Sequence, residues 1–326
     1  MQTITLLDTG LASDNLGDEI IMEAAESVIF DLFPNAYYYR IASHELMSYR
    51  ARTFVERSDL CFIGGTNLLA SRMGKRSQWP VRWRDARWMD RAICLGVGWN
   101  DYSRGADLQS RLLLRALLAK DVVHSVRDSY TERRASEAGI VCVNTACPTM
   151  WSLTPAHCTA LPRRKAAEVV FTLTAWRADP AADRVFVEML KRHYRRVHFF
   201  CQMREDWDYL QGFGIGDLRT IRPTTRGYSD FLARADVDYV GTRLHGGVRA
   251  LQMGKRSLIL GVDNRSIEIQ RDTDLPVLPR HDIPAVESWI EGEQRIALRL
   301  PWAEIDSWKS QFRRQTAASA TEGAAA

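Results

Sequence analysis

The residues best equipped for chemistry are an arginine and a histidine two positions apart, Arg243 and His245, in the run Gly241-Thr242-Arg243-Leu244-His245-Gly246-Gly247. The apolar run at 237–240 reads as a strand, and 248–253, ahead of Gly254, as a short helix with a glycine stop. Residues two apart on extended chain share a face, so both side chains should point into one crevice. Backbone N–H groups at the helix start would face it too, which makes a small phosphate or carboxylate the natural guest. A plainer use competes: Arg243 in a structural ion pair and His245 as a helix cap. Gly246 and Gly247 tilt the balance toward a site, because backbone without side chains lets a ligand approach.

Similar features recur along the chain. Asn15, Gly17 and Asp18 stand where a strand gives way to a helix, as an anion-binding turn or as a cap supplied by Asp18. Thr66 and Asn67 follow the apolar run 60–63, and Arg127 ends the run 122–126, with Asp128 beside it as a ready ion-pair partner. Residues 72–91 form an insertion rich in basic and aromatic residues. There Trp79, Trp83 and Arg84 suggest an acceptor surface, since rings stack on sugar faces and arginine pairs with anions, although tryptophans tucked against the body would explain each one singly.

These loops need strands to carry them. Apolar runs at 4–7, 37–41, 60–63, 92–97, 122–126 and 140–143 alternate with amphipathic stretches, the pattern of a parallel sheet. The pattern lapses at 156–167 and resumes at 168–174, 197–201, 218–221, 237–240 and 257–260. The expectation is an α/β chain of two Rossmann-like domains, 1–155 on the acceptor side and 168–315 on the donor side, the latter closing on terminal helices. Residues 156–167 would be the linker and 316–326 a disordered tail. Ligands of such sheets bind outside the carboxyl ends of the strands, here in a cleft between the domains.

Composition narrows the function. A chain of 326 residues, 46% hydrophobic, can bury two cores, and a net charge of +4 is far from the basic footprint of a nucleic-acid binder. No nucleic-acid partner is expected. No apolar run could span a bilayer, and Met1-Gln2-Thr3-Ile4 does not open a signal peptide, so the expected location is the cytoplasm, with room for peripheral association at the inner face of the membrane. The six cysteines form no Cys-x-x-Cys pair and read as reduced core residues, so no metal site is expected. Neither the dinucleotide fingerprint nor the P-loop lysine motif is present, so neither cofactor is indicated.

Taken in order, Asn15-Leu16-Gly17-Asp18, Gly64-Gly65 with Leu68, Ser125-Val126-Arg127-Asp128, and Thr242-Arg243-Leu244-His245 followed by Ala250 and Gly254 resemble the polysaccharide pyruvyltransferase family over most of the chain. The resemblance implies a glycosyltransferase-B-like fold. It also implies transfer of a pyruvyl group from phosphoenolpyruvate, as co-substrate, onto two hydroxyls of a sugar, forming a ketal on a cell-surface or exopolysaccharide precursor that is free or lipid-linked. Departures from the family pattern are Thr66 for a third glycine, Cys147 for an acidic residue before Pro148, and Arg265 for a lysine. On this reading His245 protonates the methylene carbon and Asp18 takes a proton from the attacking hydroxyl. Arg243, Arg127, Asn15, Gly17, Thr66, Asn67, Gly246, Gly247 and Arg265 would bind substrate, with Arg127, Arg243 and the helix start at Gly246 holding the donor's anionic groups. A nucleotide-sugar glycosyltransferase, with Arg243 and Arg265 clamping a diphosphate, is the alternative enzyme; a non-catalytic glycan-binding relative is the alternative of another class.

Overall fold

The computed structural model describes residues 1–75, 77–100, 102 and 105–323, with 314–323 as helix backbone only. The chain divides into two compact units, Met1–Ser13, Ile21–Pro148 and Leu300–Ala326 in the first, Asp14–Ile20 and Thr149–Arg299 in the second.

Unit 1 carries strands β1 (Thr3–Asp8), β2 (Tyr37–Ala42), β3 (Leu60–Gly64), β4 (Ala92–Leu95), β5 (His124–Val126) and β6 (Cys142–Asn144). Its helices are α1 (Leu16–Leu32), whose first turn belongs to unit 2, α2 (Tyr49–Arg57), α3 (Leu108–Leu117) and α4 (Ser129–Glu137). The first four strands pair in the order β2-β1-β3-β4, all parallel, and β5 pairs with β6. β5 meets β4 partly through side chains: the Cys94 N–H donates to His124 Nδ1 at 3.2 Å and the Gly96 N–H to Ser125 Oγ at 2.8 Å. Burial on both faces explains the continuous apolar strands.

Unit 2 holds α5 (Pro155–Ala160), β7 (Glu168–Phe171), α6 (Pro180–His193), β8 (Arg196–Phe200), α7 (Arg204–Gln211), β9 (Arg219–Ile221), α8 (Thr225–Arg234), β10 (Val237–Gly241), α9 (Leu244–Gln252), β11 (Ser257–Gly261), α10 (Asn264–Thr273), β12 (Val277–Pro279) and α11 (Ile283–Glu291). Its sheet is parallel throughout, in the order β12-β11-β10-β7-β8-β9. That is the doubly wound order, and its switch point lies between β7 and β10, where the chain leaves in opposite directions and opens a crevice at the carboxyl ends. Phe171, Phe186, Phe199, Val240 and Leu258 belong to the core beneath it.

The division differs from the one expected in three places. Residues 14–20 belong to unit 2 although the strand before them is in unit 1. The expected linker contains the helix α5, opened by Thr154, whose hydroxyl accepts from the His157 N–H. The last helix, α12 (Trp302–Gly323), belongs to unit 1, where Trp308 and Phe312 complete an aromatic cluster with Phe33 and Phe62. The tail expected at 316–326 falls on residues whose side chains, and for 324–326 whose backbone, lie outside the description. No helix among the described residues is long and apolar enough to cross a membrane.

Candidate functional site

In unit 2 the loops after β7, β8, β10 and β11 and the segment at Asn15 surround one pocket, lined among others by Asn15, Trp176, Gln202, Arg243, His245 and Arg265. It sits at the carboxyl end of the sheet, where the switch point places a ligand. Helix α9 starts at Leu244 rather than 248, so Arg243 is its N-cap residue and His245 lies in its first turn. The two face one pocket through a helix start, not through an extended strand.

Arg243 makes the ion pair that the plainer reading allowed. Its Nε donates to Asp206 Oδ2 at 3.0 Å and to the Leu173 carbonyl at 3.1 Å, and its Nη2 donates to Asp206 Oδ1 at 2.5 Å. Both side chains are buried, and Asp206 also accepts the N–H groups of Ala175 and Met203. The guanidinium is thus matched by a carboxylate held from four directions, and its orientation is fixed. The backbone beside it is equally tied: the Tyr239 hydroxyl donates to the Arg243 carbonyl at 2.6 Å and Thr172 Oγ1 accepts the Arg243 N–H at 3.1 Å.

Arg265 follows the same pattern on the other side. Asp263 caps α10 through the Arg265 and Ser266 N–H groups and takes Nε and Nη2 of Arg265 at 2.8 and 2.6 Å. Burial works to lower the Arg265 pKa, but Asp263, with Asp18 as a further negative charge, holds it above the ordinary arginine value. The guanidinium carbon lies 5.6 Å from the centre of the Trp176 ring.

Asn15, Gly17 and Gln202 form a third assembly. Asn15 Oδ1 accepts the Gly17 N–H at 3.0 Å and Gln202 Nε2 at 2.9 Å, while the Gln202 carbonyl accepts the Leu16 N–H at 3.0 Å. A Cβ on Gly17 would stand 2.6 Å from Gln202 Nε2, so glycine is required there by close approach. Gly17, Asp18 and Gly246 flank the pocket without lining it. At Gly247 a Cβ would meet Ile259 Cγ1 at 2.6 Å and Tyr239 Cε1 at 2.8 Å, so its lack of a side chain lets α9 lie on the sheet.

The remaining expected residues are in unit 1. Arg127 is fully buried, with Nε on Asp128 at 3.1 Å, Nη2 on Asn67 Oδ1, and Nη1 without a hydrogen-bond partner among the described residues. Asp128 also caps α4 through the Thr131 N–H at 2.7 Å. Thr66 has a φ of 53°, the left-handed region that favours glycine. Of the expected acceptor surface, Trp79 is a correction: it is 3% exposed and belongs to the unit 1 core, where its large ring fills space between apolar neighbours. Trp83 and Arg84 are exposed, in the short 3-10 turn Trp83–Arg87. Cys61, Cys94, Cys142, Cys158 and Cys201 are free thiols, and burial pushes the Cys142 thiol up to about 11 and the Cys61 thiol up to about 12.

Sequence reasoning missed Asp206, Gln202 and Trp176. All three follow strand ends, Trp176 in the connection after β7, Gln202 directly after β8 and Asp206 in the first turn of α7, so the carboxyl-end rule pointed to their segments. It did not say which residue in each loop mattered.

Comparison with known proteins follows the same lines. The family model for polysaccharide pyruvyl transferase matches residues 15–264. Among solved structures, the UDP-GlcNAc 2-epimerase of Methanocaldococcus jannaschii is 10% identical, with 98% of this chain and 100% of that one covered at a TM-score of 0.57. An E. coli heptosyltransferase is 12% identical, covering 80% of this chain and 88% of its own at a TM-score of 0.41. A search of curated protein sequences finds no match to the chain. At such identities the first likeness establishes the fold alone, an α/β architecture of the glycosyltransferase-B kind with parallel sheets.

Proposed function

Because the chain belongs to the polysaccharide pyruvyl transferase family, we propose that it moves a pyruvyl group from phosphoenolpyruvate onto two hydroxyls of a saccharide acceptor. The observation that supports this most is His245 in the first turn of α9, facing the same pocket as Arg243 and Arg265 at the switch point of the unit 2 sheet.

The chemistry asks for three things. The phosphate and carboxylate of the donor need N–H donors and cations, which the start of α9 and Arg265 supply. The methylene carbon needs a proton donor, a task that suits an imidazole, and we assign it to His245. Protonation there leaves an oxocarbenium-like carbon that one sugar hydroxyl attacks. The C–O bond to phosphate breaks, inorganic phosphate leaves, and a second hydroxyl closes the ketal with loss of its proton. Asp18, beside Arg265, is our candidate acceptor for a hydroxyl proton. Arg243, fixed by Asp206, acts as a positioning residue that sets the helix start. Arg127, Thr66 and Asn67 form a separate polar cluster in unit 1, with Arg127 Nη1, which has no hydrogen-bond partner among the described residues, as its donor to an anion.

Calorimetric titration with phosphoenolpyruvate tests the donor, with a uridine diphosphate sugar as comparison. Binding of phosphoenolpyruvate is expected, retained in His245→Ala within a few-fold while phosphate release falls by about a hundredfold or more. Binding of the nucleotide sugar with none of phosphoenolpyruvate would overturn the proposal.

A further inference from the structure

Once its ion pairs are drawn, the unit 2 pocket has an unexpected balance. Arg243 is matched by Asp206 and Arg265 by Asp263, each through two guanidinium nitrogens. The Gln202 amide oxygen, in contrast, is buried and has no hydrogen-bond partner among the described residues, and the residue is only 3% exposed.

That oxygen is identified by its neighbours rather than by the amide alone. The Gly17 backbone N–H can only donate, so the Asn15 atom facing it is the oxygen, Oδ1. Asn15 Oδ1 in turn can only accept, so the Gln202 atom at 2.9 Å from it is the nitrogen. The remaining Gln202 atom is therefore an acceptor, and it lies on the Gly246 side, 3.2 Å from where a Cβ on that glycine would be. It thus stands beside the α9 turn that carries His245.

A buried acceptor without a donor costs free energy that a well-made fold avoids, unless something arrives to satisfy it. Phosphoenolpyruvate presents almost only acceptors. A hydroxyl is the missing complement. The same pocket is lined by Trp176, which is 44% exposed and offers apolar area against which a sugar ring can rest.

We infer that this pocket also receives the sugar ring of the acceptor, with one hydroxyl donating to Gln202 Oε1 and the ring against Trp176. The inference rests on the pyruvyl-transfer reading only in calling that sugar the acceptor. Unlike the expectation from sequence, it assigns recognition of the acceptor to unit 2 rather than to residues 72–91. Gln202 becomes a specificity residue: a sugar whose hydroxyl at that position is replaced by hydrogen leaves the oxygen unsatisfied and is rejected.

The test is saturation-transfer NMR on the full chain with a panel of methyl hexopyranosides (gluco, galacto and manno, both anomers), with and without phosphoenolpyruvate. Gln202→Met and Trp176→Ala are compared with wild type, and phosphoenolpyruvate affinity is measured on the same samples. At least one glycoside is expected to bind, about tenfold more weakly in each variant, a loss larger than any change in phosphoenolpyruvate affinity. Binding that both variants leave unchanged overturns the inference, as does a wild-type protein that binds none of the panel. Should Gln202→Met fail to fold, Trp176→Ala decides alone, because its side chain is half exposed. Glycoside binding lost in the variants together with no phosphoenolpyruvate binding in wild type would keep the sugar pocket and refute the donor.

Discussion

Arg243 shows how a residue of the right type can be held away from the use its type suggests. Its partner Asp206 is 0% exposed, so Arg243→Ala strands a buried carboxylate and should cost about 3–5 kcal/mol in urea unfolding. The double variant Arg243→Met with Asp206→Leu should recover part of that loss. A single variant no less stable than wild type would show that the pair is not a structural tie. Loss of activity in Arg243→Ala alone therefore reports the position of α9 before it reports ligand binding. Thr66 makes the opposite case. A β-branched side chain at a φ of 53° is strained, and the family resemblance had a glycine there. Thr66→Gly should raise stability by about 1 kcal/mol, read as a higher urea midpoint at unchanged slope. In the sequence this residue stood out as a polar side chain after a strand and as a departure from a pattern; its backbone angle adds the strain.

At the scale of elements, most strands lay where alternation in hydrophobicity put them, because parallel strands buried on both faces leave a continuous apolar run. β12 escaped, being three residues long and ending in Pro279. The start of α9 escaped for a different reason. Arg243 is not among the usual capping residues, and Gly246-Gly247 reads as a break in any local scheme. Only the contact with Ile259 and Tyr239 explains why the helix tolerates them. Gly247→Ala should cost about 1–3 kcal/mol and shift His245, so that activity falls by more than the fraction of protein unfolded. β5 supplies a prediction in pH. Burial lowers the His124 pKa, and the ring is held neutral, accepting the Cys94 N–H at Nδ1 and donating from Nε2 to the Ala119 carbonyl at 2.9 Å. The unfolded chain takes up its proton first, near its ordinary value of 6.5, so this stability is complete above that pH and is lost as pH falls toward the lowered folded value. Thermal melting should show that loss below about pH 6.5. His124→Gln should flatten the slope; an identical slope in the variant would rule His124 out as its source.

At the scale of the whole molecule, the two cores were legible in the chain but their membership was not. An amphipathic helix bearing tryptophan announces that it will be buried without saying in which core, and α11 and α12, adjacent in sequence, go to different units. Trp308 is 1% exposed in unit 1, so Trp308→Ala should lower the unfolding free energy by about 3–5 kcal/mol. A loss under 1 kcal/mol would mean that the aromatic cluster closes without it. The membership of α12 also sets an order in time. Synthesis runs from the first residue to the last, yet Phe33 and Phe62 in the opening third of the chain pack against Phe312 near its close. All of unit 2 emerges from the ribosome before that partner does, so the unit that is translated first is the last to be completed.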